Sequence, residues 1–568
     1  MARLSRATLR AWAGRLRRSL ARTDAVAAPV DASVVDLVAE LLADAPRARV
    51  AVITEGPPTA LAAAISKRCP DADLVRQNGR HAPAARHAAL AVSGPFDLVV
   101  VTGVTGKARV PRFQETFHQL VPGGRLVLAG AATELPGQES VGALGELLAR
   151  AEARRGQKPV VRRKGVPLAT IDEQALARVI TDLRAHGRHL VATNGASDTL
   201  VKLREGEANL VIERRPDLGA RVLEVVKGQT FTSRCTLRES TEPDVVQEPT
   251  RFEALSASLR EYRDVVVAPG QVVTSDRMLW PDTYRHNARR RLLNGYTEEI
   301  APRFARVPFS VDEAPALAGT YFHLDNEVRG HFGHLMTETV SRLWAWPQAK
   351  ELVPDLKVLV CTNRRPEVMA YELGVYVAAG IPAEDVVLVH EPVRVERLLS
   401  ASPMLSNPEY VHPAIVDTWR RLGDSLAAGA EGGPRPARFF CSRRLSKRSC
   451  HNTAEVEDVF RAAGFEIVFP EDYSLGDQVE MFRAADVVAG FAGSGLFNLC
   501  FVEKPVRVVM IRSEAYSARN EYLFASVLGH TIDSISSVPD KRGDFQSPFT
   551  FDLEHEGRYL AQVLADLD

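Results

Sequence analysis

Residues 329–346, RGHFGHLMTETVSRLWAW, place four charged or titratable side chains in an otherwise apolar run: His331, His334, Glu338 and Arg342. At 3.6 residues per turn, the four fall within about one quarter of a helix circumference. An otherwise apolar helix carries such groups only where they face a cleft or are fully paired. A lone salt bridge between Glu338 and Arg342 at i,i+4 is the plainer interpretation. The two added histidines favour a site, since imidazoles and carboxylates are side chains that exchange protons.

A basic cluster follows the strand-like run RFFC. It contains Ser442, Arg443 and Arg448, with Asn452 close behind. Parallel sheets bind ligands beyond the carboxyl ends of their strands, and guanidinium groups pair with phosphate oxygens in bidentate fashion. The cluster therefore suits a diphosphate. A solvated basic loop is an equally weighted alternative.

A glycine-rich turn lies within AGFAGSGLFN, residues 489–498, between a predicted strand and the start of a helix. Gly493, Ser494 and Gly495 would present backbone N–H groups at the positive end of that helix, which is a ready anion site. The alternative is an ordinary tight turn between strand and helix, and a single turn of this kind does not distinguish the two.

The segment PEDYSLGDQ, residues 470–478, places Glu471 and Gln478 on either side of a loop that follows another predicted strand. It could contribute polar groups to the same edge of the sheet. The alternative is a helix-capping loop, for which Ser474 is a suitable N-cap residue.

Alternating strand-like and helix-like runs position these residues in two regions. In residues 33–215, strands are predicted at 49–56, 73–77, 96–103 and 125–130, with a closing hairpin at 199–205 and 208–215. This βαβ alternation predicts an α/β fold with a parallel, doubly wound sheet. A polar stretch at 216–250 is predicted to be a linker. A second α/β region follows, and the Gly- and Pro-rich EGGPRPAR divides it into subdomains at 251–430 and 431–568.

The four segments together resemble glycosyltransferase family 61, in order and spacing, over roughly residues 255–540. The matching positions are Gly333, His334, Glu338, Arg342, Leu343 and Trp344; Ser442, Arg443, Arg448 and Asn452; Pro470, Glu471 and Gln478; and Gly490, Gly493, Ser494, Leu496, Asn498 and Phe501. Two positions depart from the family pattern. Thr453 stands where the family has a glutamate, and Phe497 stands in a region where it often has a histidine.

The resemblance implies a GT-B-type pair of Rossmann-like domains that transfers a sugar from a nucleotide sugar with inversion. Arg443, Arg448 and the helix end at Gly493–Gly495 are expected to neutralise the leaving diphosphate without a metal ion, and no cofactor is expected. Donor-binding roles follow for Ser442, Arg443, Arg448, Asn452, Glu471, Gly493, Ser494, Gly495 and Asn498. Inversion needs a general base on the acceptor side. Glu338 ranks first as that base, with His334 orienting or replacing it, and His331 and Arg342 complete the acceptor side. The implied acceptor is a cell-envelope or capsular polysaccharide, free or lipid-linked, in a bacterium.

The region 33–215 resembles the fold of S-adenosylmethionine-dependent methyltransferases in pattern more than in motif. Its turn after the first strand, TEGPP, has Gly56 as its only glycine, and the second strand ends in Val75-Arg76-Gln77 with no acid for a ribose. The expectation is a domain that has kept the fold and lost the activity. Two alternatives to glycosyl transfer stay open: a non-catalytic nucleotide- or glycan-binding component of a polysaccharide assembly complex, and methyl transfer by this region.

The composition limits the possible partners and the possible location of the protein. The 568 residues carry no net charge, which gives no general attraction to nucleic acid. Six scattered cysteines without a C-x-x-C pair, and no long apolar run, indicate a reducing cytoplasm. Residues 1–32 are predicted to form a basic amphipathic helix with seven arginines between positions 3 and 22. It would either contact the inner membrane face peripherally or form a surface helix or basic tail, with equal weight.

Overall fold

The computed structural model describes residues 30–136, 142–158, 165–196, 198–240, 248–362, 365, 367–444 and 448–567. The predicted basic helix at residues 3–22 therefore lies outside the described residues. The chain forms two compact units. Of the described residues, the first contains those up to Arg215 together with Asp276–Leu279 and Thr297–Pro308, and the second contains those within Pro216–Ser275, within Trp280–Tyr296 and from Phe309 onward.

The α-helices of the described residues are α1 Ala32–Leu41, α2 Thr59–Arg68, α3 Pro83–Ser93, α4 Arg109–Phe117, α5 Ala143–Glu152, α6 Leu168–Val179, α7 Glu205–Arg214, α8 Phe332–His334, α9 Trp346–Leu352, α10 Ala370–Ala378, α11 Val416–Ala427, α12 Thr453–Ala462, α13 Leu475–Ala484, α14 Asn520–Leu528 and α15 Glu556–Ala565. None of them is long and apolar enough to cross a membrane.

The strands are β1 Arg49–Thr54, β2 Asp73–Asn78, β3 Phe96–Thr102, β4 Leu120–Leu128, β5 Ile180–His186, β6 His189–Asn194, β7 Leu200–Lys202, β8 Arg221–Val226, β9 Gln229–Thr232, β10 Thr236–Glu239, β11 Arg251–Ala254, β12 Ala257–Ala268, β13 Val272–Ser275, β14 Met278–Leu279, β15 Glu298–Ala301, β16 Phe304–Arg306, β17 Ala316–His323, β18 Lys357–Cys361, β19 Val386–Val389, β20 Val393–Ala401, β21 Leu405–Ser406, β22 Tyr410–Val411, β23 Arg438–Cys441, β24 Glu466–Val468, β25 Val487–Phe491, β26 Arg507–Ser513 and β27 Thr531–Ser537.

The first unit is built on a sheet with the strand order β2-β1-β3-β4-β6-β5. Strands β1 to β4 are parallel, and β6 and β5 close the sheet as an antiparallel hairpin. Successive residues of β1 alternate between two cores, with Val50 and Val52 in one and Ala51 and Ile53 in the other. This alternation is the two-residue period of a strand covered on both faces, as the sequence predicted.

The predicted closing hairpin at residues 199–215 is wrong. Residues 200–202 form β7, but α7 follows, because Ala208, Val211 and Ile212 are buried at helical spacing. Strand β7 pairs with β14 on one side and with β16 on the other. At the end of β7, Lys202 Nζ contacts both carboxylate oxygens of Glu299 at 2.7 Å, with both side chains fully buried.

The second unit holds two larger sheets. One is mixed, with the strand order β13-β12-β20-β17-β18-β19 and β8 also paired with β12. The other is entirely parallel, with the order β10-β27-β26-β25-β23-β24. A single core joins them, since Phe322 and Leu399 of the first sheet and Phe439 and Val488 of the second belong to one buried cluster. The expected α/β class with several Rossmann-like sheets is confirmed.

The predicted linker at 216–250 is also wrong, as far as it is described. It contains β8, β9 and β10, all within the second unit. Its polar composition arises because these strands leave much of their surface exposed while their backbones pair with β12, β11 and β27. The predicted division near residue 430 does not separate two units, and it separates the strands of the two sheets except for β10, which lies before it and pairs with β27. The backbone N–H groups of Glu431, Gly432 and Gly433 all donate to Asp477 Oδ1.

His323, the last residue of β17, gives the second unit a source of acid sensitivity. Its side chain is fully buried, and neither ring nitrogen has a hydrogen-bond partner among the described residues. Burial, reinforced by the charge of Arg342, lowers the pKa of His323 to about 3, although Asp282 acts in the opposite direction. The unfolded chain binds this proton below about pH 6.5, so stability falls as the pH drops from there toward 3.

Replacing His323 with Leu is therefore expected to remove about 2 kcal/mol of the stability difference between pH 7 and pH 5. Urea unfolding of both proteins at the two pH values measures this. The exposed His451, paired with Asp540, provides the control in His451→Leu. An unchanged pH difference in the His323 variant would show that this ring does not limit acid stability.

Candidate active site

A cleft of about 440 Å³ opens in the second unit. One wall comes from loops at the carboxyl ends of the parallel strands: Arg448 after β23, Gly493 after β25, Tyr516 after β26 and Phe545 after β27. That edge is where parallel sheets bind ligands, because the strand ends and the following helix starts converge there. The other wall comes from the segment around His334 and from a loop that contains Arg285.

The His334 wall is helical but not a regular α-helix. After α8 the chain makes a π-helical segment at Leu335–Thr339 and a 3₁₀ segment at Val340–Ala345 before α9 begins. Changing the number of residues per turn rotates later side chains away from their ideal positions. Glu338 still faces the cleft, but Arg342 is buried and donates from Nη1 to the carbonyl oxygen of Ala401 at 2.7 Å. The expected side-by-side stripe is thus broken at Arg342, which does not line the cleft.

His334 and Glu338 form a hydrogen-bonded pair at the cleft surface. Nδ1 of His334 lies 2.7 Å from Oε1 of Glu338, so the proton is assigned to Nδ1 and the lone pair to Nε2. The His334 side chain is 29% exposed and that of Glu338 is 13% exposed. His331 lines the same wall, with its ring centroid 4.9 Å from that of His334. In this pair the Glu338 carboxylate can orient the His334 imidazole and stabilise it once it is protonated.

Glu338 remains ionised across the ordinary pH range. Burial alone would raise its pKa, but the charge and hydrogen bond of His334 and the charge of Arg285 outweigh burial and lower it to about 2. Arg285 donates from Nη1 to Glu338 Oε1 at 3.2 Å and also pairs with Glu327. A carboxylate held this strongly in its charged form is a weak base, which favours an orienting role for Glu338.

His286 is a second imidazole at the cleft, but burial and the charges of Arg285 and Arg289 lower its pKa to about 3. It is therefore neutral at neutral pH and accepts protons poorly. His334 is the imidazole better suited to proton transfer.

The two walls meet closely at Gly333. A Cβ atom built on this glycine would lie 3.1 Å from Ser494 Cβ and 3.2 Å from the ring of Phe497. A larger residue would push the Ser494 turn away from the His334 wall. Phe497, which departs from the family pattern, lines the cleft and packs edge-on against Phe524.

Of the nine predicted donor-binding residues, Arg448, Gly493 and Ser494 line the cleft. Gly493 adopts φ +140°, a backbone conformation that favours glycine, and its N–H donates to Glu521 Oε1 at 2.6 Å. That N–H is therefore already occupied, which differs from the expected row of free N–H groups. The segment that follows, Ser494–Phe501, is a 3₁₀ helix.

The other six predicted donor-binding residues do not line the cleft. Four of them have hydrogen-bond partners elsewhere: Ser442 donates to Glu457, Arg443 to the carbonyl of Arg448, Asn452 bonds to both backbone groups of Phe551, and Asn498 donates to Gln478. Glu471 lies 3.9 Å from the exposed Arg444, and Gly495 lies near Cys441. Arg443 supports the site indirectly. Burial, with a further effect of Arg448, lowers the pKa of Arg443 to about 10, so it stays charged at neutral pH.

Several cleft residues were missed by sequence reasoning. Arg285 lies in the run TYRHNARRR, and this dense basic run beside a histidine was an available signal. Tyr516 and Phe545 lie in loops without any distinguishing pattern. The same holds for Glu521, which does not line the cleft but contacts the cleft residue Gly493 from the start of α14. Only folding brings them to Arg448.

In the first unit, ionic contacts occupy the carboxyl edge of β1 and β2. Arg112 Nη2 donates to Glu55 Oε1 at 2.9 Å and to the carbonyl of Gly79 at 3.0 Å. Arg86 donates to both carboxylate oxygens of Glu115 and to the same carbonyl. The protein's own side chains thus occupy the edge where this fold class places ligands.

No cluster of three or more metal-ligating side chains occurs within the described ranges. No curated protein matches the chain significantly. Among solved structures, the MycE methyltransferase of mycinamycin biosynthesis, in complex with Mg and SAH, is 19% identical over 29% of this chain and 49% of its own, with a TM-score of 0.23. An O-methyltransferase family protein from Burkholderia thailandensis is 16% identical over 29% of this chain and 55% of its own, with a TM-score of 0.17.

This chain thus spans about half the length of these methyltransferase structures. A glycosyl transferase family 9 protein from Veillonella parvula DSM 2008 is 10% identical over 45% of this chain and 99% of its own, with a TM-score of 0.23. At the level of sequence, part of this chain matches a protein-family model. Residues 332–509, which contain both walls' predicted motifs, match the family described as Glycosyltransferase 61, and this part of the chain is therefore similar to that family.

Proposed function

We propose that the second unit is an inverting glycosyltransferase that moves a sugar from a nucleotide-sugar donor to an acceptor hydroxyl. The observation that carries this proposal is the His334–Glu338 pair facing Arg448 within one cleft. A proton acceptor and a cation on opposite walls are the two groups that such a displacement needs. The match of residues 332–509 to glycosyltransferase 61 supports the same reaction class.

In this reaction the acceptor hydroxyl gives its proton to Nε2 of His334 as its oxygen attacks C1 of the donor sugar. The C1–O bond to the diphosphate breaks on the opposite face, and the diphosphate leaves with the bonding electron pair. Glu338 holds the imidazole in place and stabilises the imidazolium. Glu338 was ranked first as the base from the sequence, but its strongly lowered pKa and its ion pairs support the reversed order.

Arg448 is the cation proposed to neutralise the leaving diphosphate without a metal ion. Among the described residues it makes no ion pair, whereas Arg285 is already paired with Glu338 and Glu327. An unpaired guanidinium can form two parallel hydrogen bonds with phosphate oxygens. Ser494, which follows Gly493 on the glycine turn and lines the same cleft, is proposed to bind the same group.

The proposed acceptor is a cell-envelope or capsular glycan, free or lipid-linked, and the proposed location is the cytoplasm or the inner membrane face of a bacterium. The resemblance of the sequence to family 61 and the arginine-rich residues 3–22 support these finer assignments. The first unit is proposed to have no methyltransferase activity, since Arg112 and Glu55 occupy the edge where a cofactor would bind.

Calorimetric titration with UDP, GDP, CMP and S-adenosylmethionine, in the presence of EDTA, tests this function. One nucleotide is expected to bind saturably. Its affinity should fall by about 1.5–3 kcal/mol in Arg448→Ala, the value of a hydrogen bond to a charged group. Arg444→Ala is the control, because Arg444 is exposed and pairs with Asp472.

Each outcome selects one interpretation. Equal affinity in the Arg448 variant would remove Arg448 as the phosphate contact. Nucleotide binding without turnover on any glycan would favour a non-catalytic binding component, which the departures at Thr453 and Phe497 keep open. Binding of S-adenosylmethionine alone would mean that the chemistry lies in the first unit.

A further inference from the structure

Arg448 stacks on two aromatic rings and makes no ion pair among the described residues. Its guanidinium carbon lies 4.8 Å from the ring centroid of Tyr516 and 5.0 Å from that of Phe545. These two rings pack against each other at 5.5 Å with a 32° angle, and together they are called the aromatic corner. Cation–π contacts hold a guanidinium in place without neutralising its charge. The aromatic corner thus leaves the positive charge available to a ligand.

The backbone beneath Arg448 is equally constrained. A Cβ atom on Gly493 would lie 3.3 Å from Nη2 of Arg448, so the guanidinium rests directly over the glycine turn. Arg448 itself adopts φ +55°, which is unusual for a residue with a side chain. Its Nε is buried without a hydrogen-bond partner among the described residues. The remaining freedom of this side chain is small.

The glycine turn and Tyr516, which both support Arg448, bind to the same carboxylate. Glu521, at the start of α14, is 1% exposed, and its Oε1 accepts the Gly493 N–H at 2.6 Å. The hydroxyl of Tyr516 donates to the same carboxylate at 3.3 Å and 3.4 Å. A single buried acid therefore fixes the turn under Arg448 and one of the two rings beside it.

Resting on the proposed function, we infer that Glu521, Tyr516 and Phe545 are positioning residues that hold the Arg448 guanidinium in one orientation for the diphosphate of the donor. The consequence is selectivity between phosphate groups. Arg448 is proposed to neutralise the leaving diphosphate, whose terminal phosphate a monophosphate lacks, so a displaced guanidinium costs a diphosphate more affinity than it costs a monophosphate. The site should therefore prefer nucleoside diphosphates over monophosphates by position as well as by charge.

The test compares the affinities of UDP and UMP, or of GDP and GMP if the panel selects guanine, in wild type and in variants. Glu521→Ala should weaken diphosphate binding at least tenfold and monophosphate binding less than threefold. Glu521→Gln keeps an oxygen acceptor for the Gly493 N–H and should recover most of the loss. Phe545→Leu should also weaken diphosphate binding more than monophosphate binding. Because the Phe545 ring is only half-buried, this variant should not disturb the folded core around Glu521.

Glu556→Ala is the matched control, because Glu556 is another buried carboxylate of this unit and bonds to Ser537 outside the cleft lining. It should leave the ratio of the two affinities unchanged. If Glu521→Ala and Phe545→Leu weaken the binding of the diphosphate and of the monophosphate by the same factor, the three residues have only a structural role and the inference is overturned. If the wild-type protein binds no nucleotide, both the proposed function and the inference are overturned. If the wild-type protein binds a nucleotide and the variants bind it with the same affinity, only the inference is overturned.

Discussion

His334→Gln is expected to lower the rate of sugar transfer by about 10²–10⁴-fold while nucleotide affinity stays within about twofold of wild type. Glutamine keeps a polar side chain of similar reach but cannot take a proton from the acceptor. Arg448 and the glycine turn, on the other wall, are unchanged by this substitution. Initial rates with the nucleotide sugar selected by the binding panel, and calorimetry with its nucleotide, measure the two quantities separately.

Glu338→Gln separates the two candidate bases. As an orienting residue, Glu338 should also matter greatly, because the amide can neither fix the imidazole tautomer in the same way nor stabilise the imidazolium. A larger residual rate in Glu338→Gln than in His334→Gln would assign proton transfer to His334. The reverse order would return that role to Glu338, and unchanged turnover in both variants would remove this wall from the chemistry. His451→Gln, at an exposed histidine of the same unit, is the control.

Lys202→Met is expected to destabilise the first unit by about 3–5 kcal/mol, because it leaves the Glu299 carboxylate buried without its cation. The two side chains are 1% and 0% exposed, so water cannot replace the lost partner. The pair lies where β7 and the Thr297–Pro308 segment meet inside this unit. Chemical denaturation monitored by circular dichroism gives the change in the free energy of unfolding.

The double variant Lys202→Met/Glu299→Leu is the matched comparison. Removing both charges also removes both desolvation costs, so the double variant should be close to wild type in stability or above it. A double variant as unstable as the single one would show that packing, and not the unpaired charge, causes the loss. Arg150→Met, at a half-exposed arginine that pairs with Glu173, should change stability by less than about 1 kcal/mol.

Hydrophobic patterning was sufficient for the parallel strands. Residues 49–54, 96–102 and 487–491 are short apolar runs between turns, and such runs form strands that are buried on both faces. Patterning was insufficient where local and tertiary preferences compete. Residues 210–212, Leu-Val-Ile, form a short apolar run of the kind found in strands, but the buried positions of 205–214 follow helical spacing. The polar strands β9 and β10 look like a linker because long-range pairing, and not local hydrophobicity, forms them.

For the site, residue type and spacing alone determined that His334 and Glu338 would face the same way, because i and i+4 are neighbours on any helical turn. They also identified Arg448, Gly493 and Ser494 as residues at a strand-end edge. The tertiary structure decided what spacing cannot encode. It turned Arg342 into the core through the π and 3₁₀ segments, and it directed Ser442 and Asn498 to other partners.

Residue types, and the faces they share on one element, were thus determined by the sequence itself, since they depend only on backbone geometry over a few residues. Contacts between elements were decided by the packing of the second unit. Arg285, 53 positions before Glu338, and Glu521, 28 positions after Gly493, reach their partners only because packing brings separate segments of the chain together. The pKa of Glu338 near 2 and the support of Arg448 both depend on those long-range contacts, so only the folded chain could supply them.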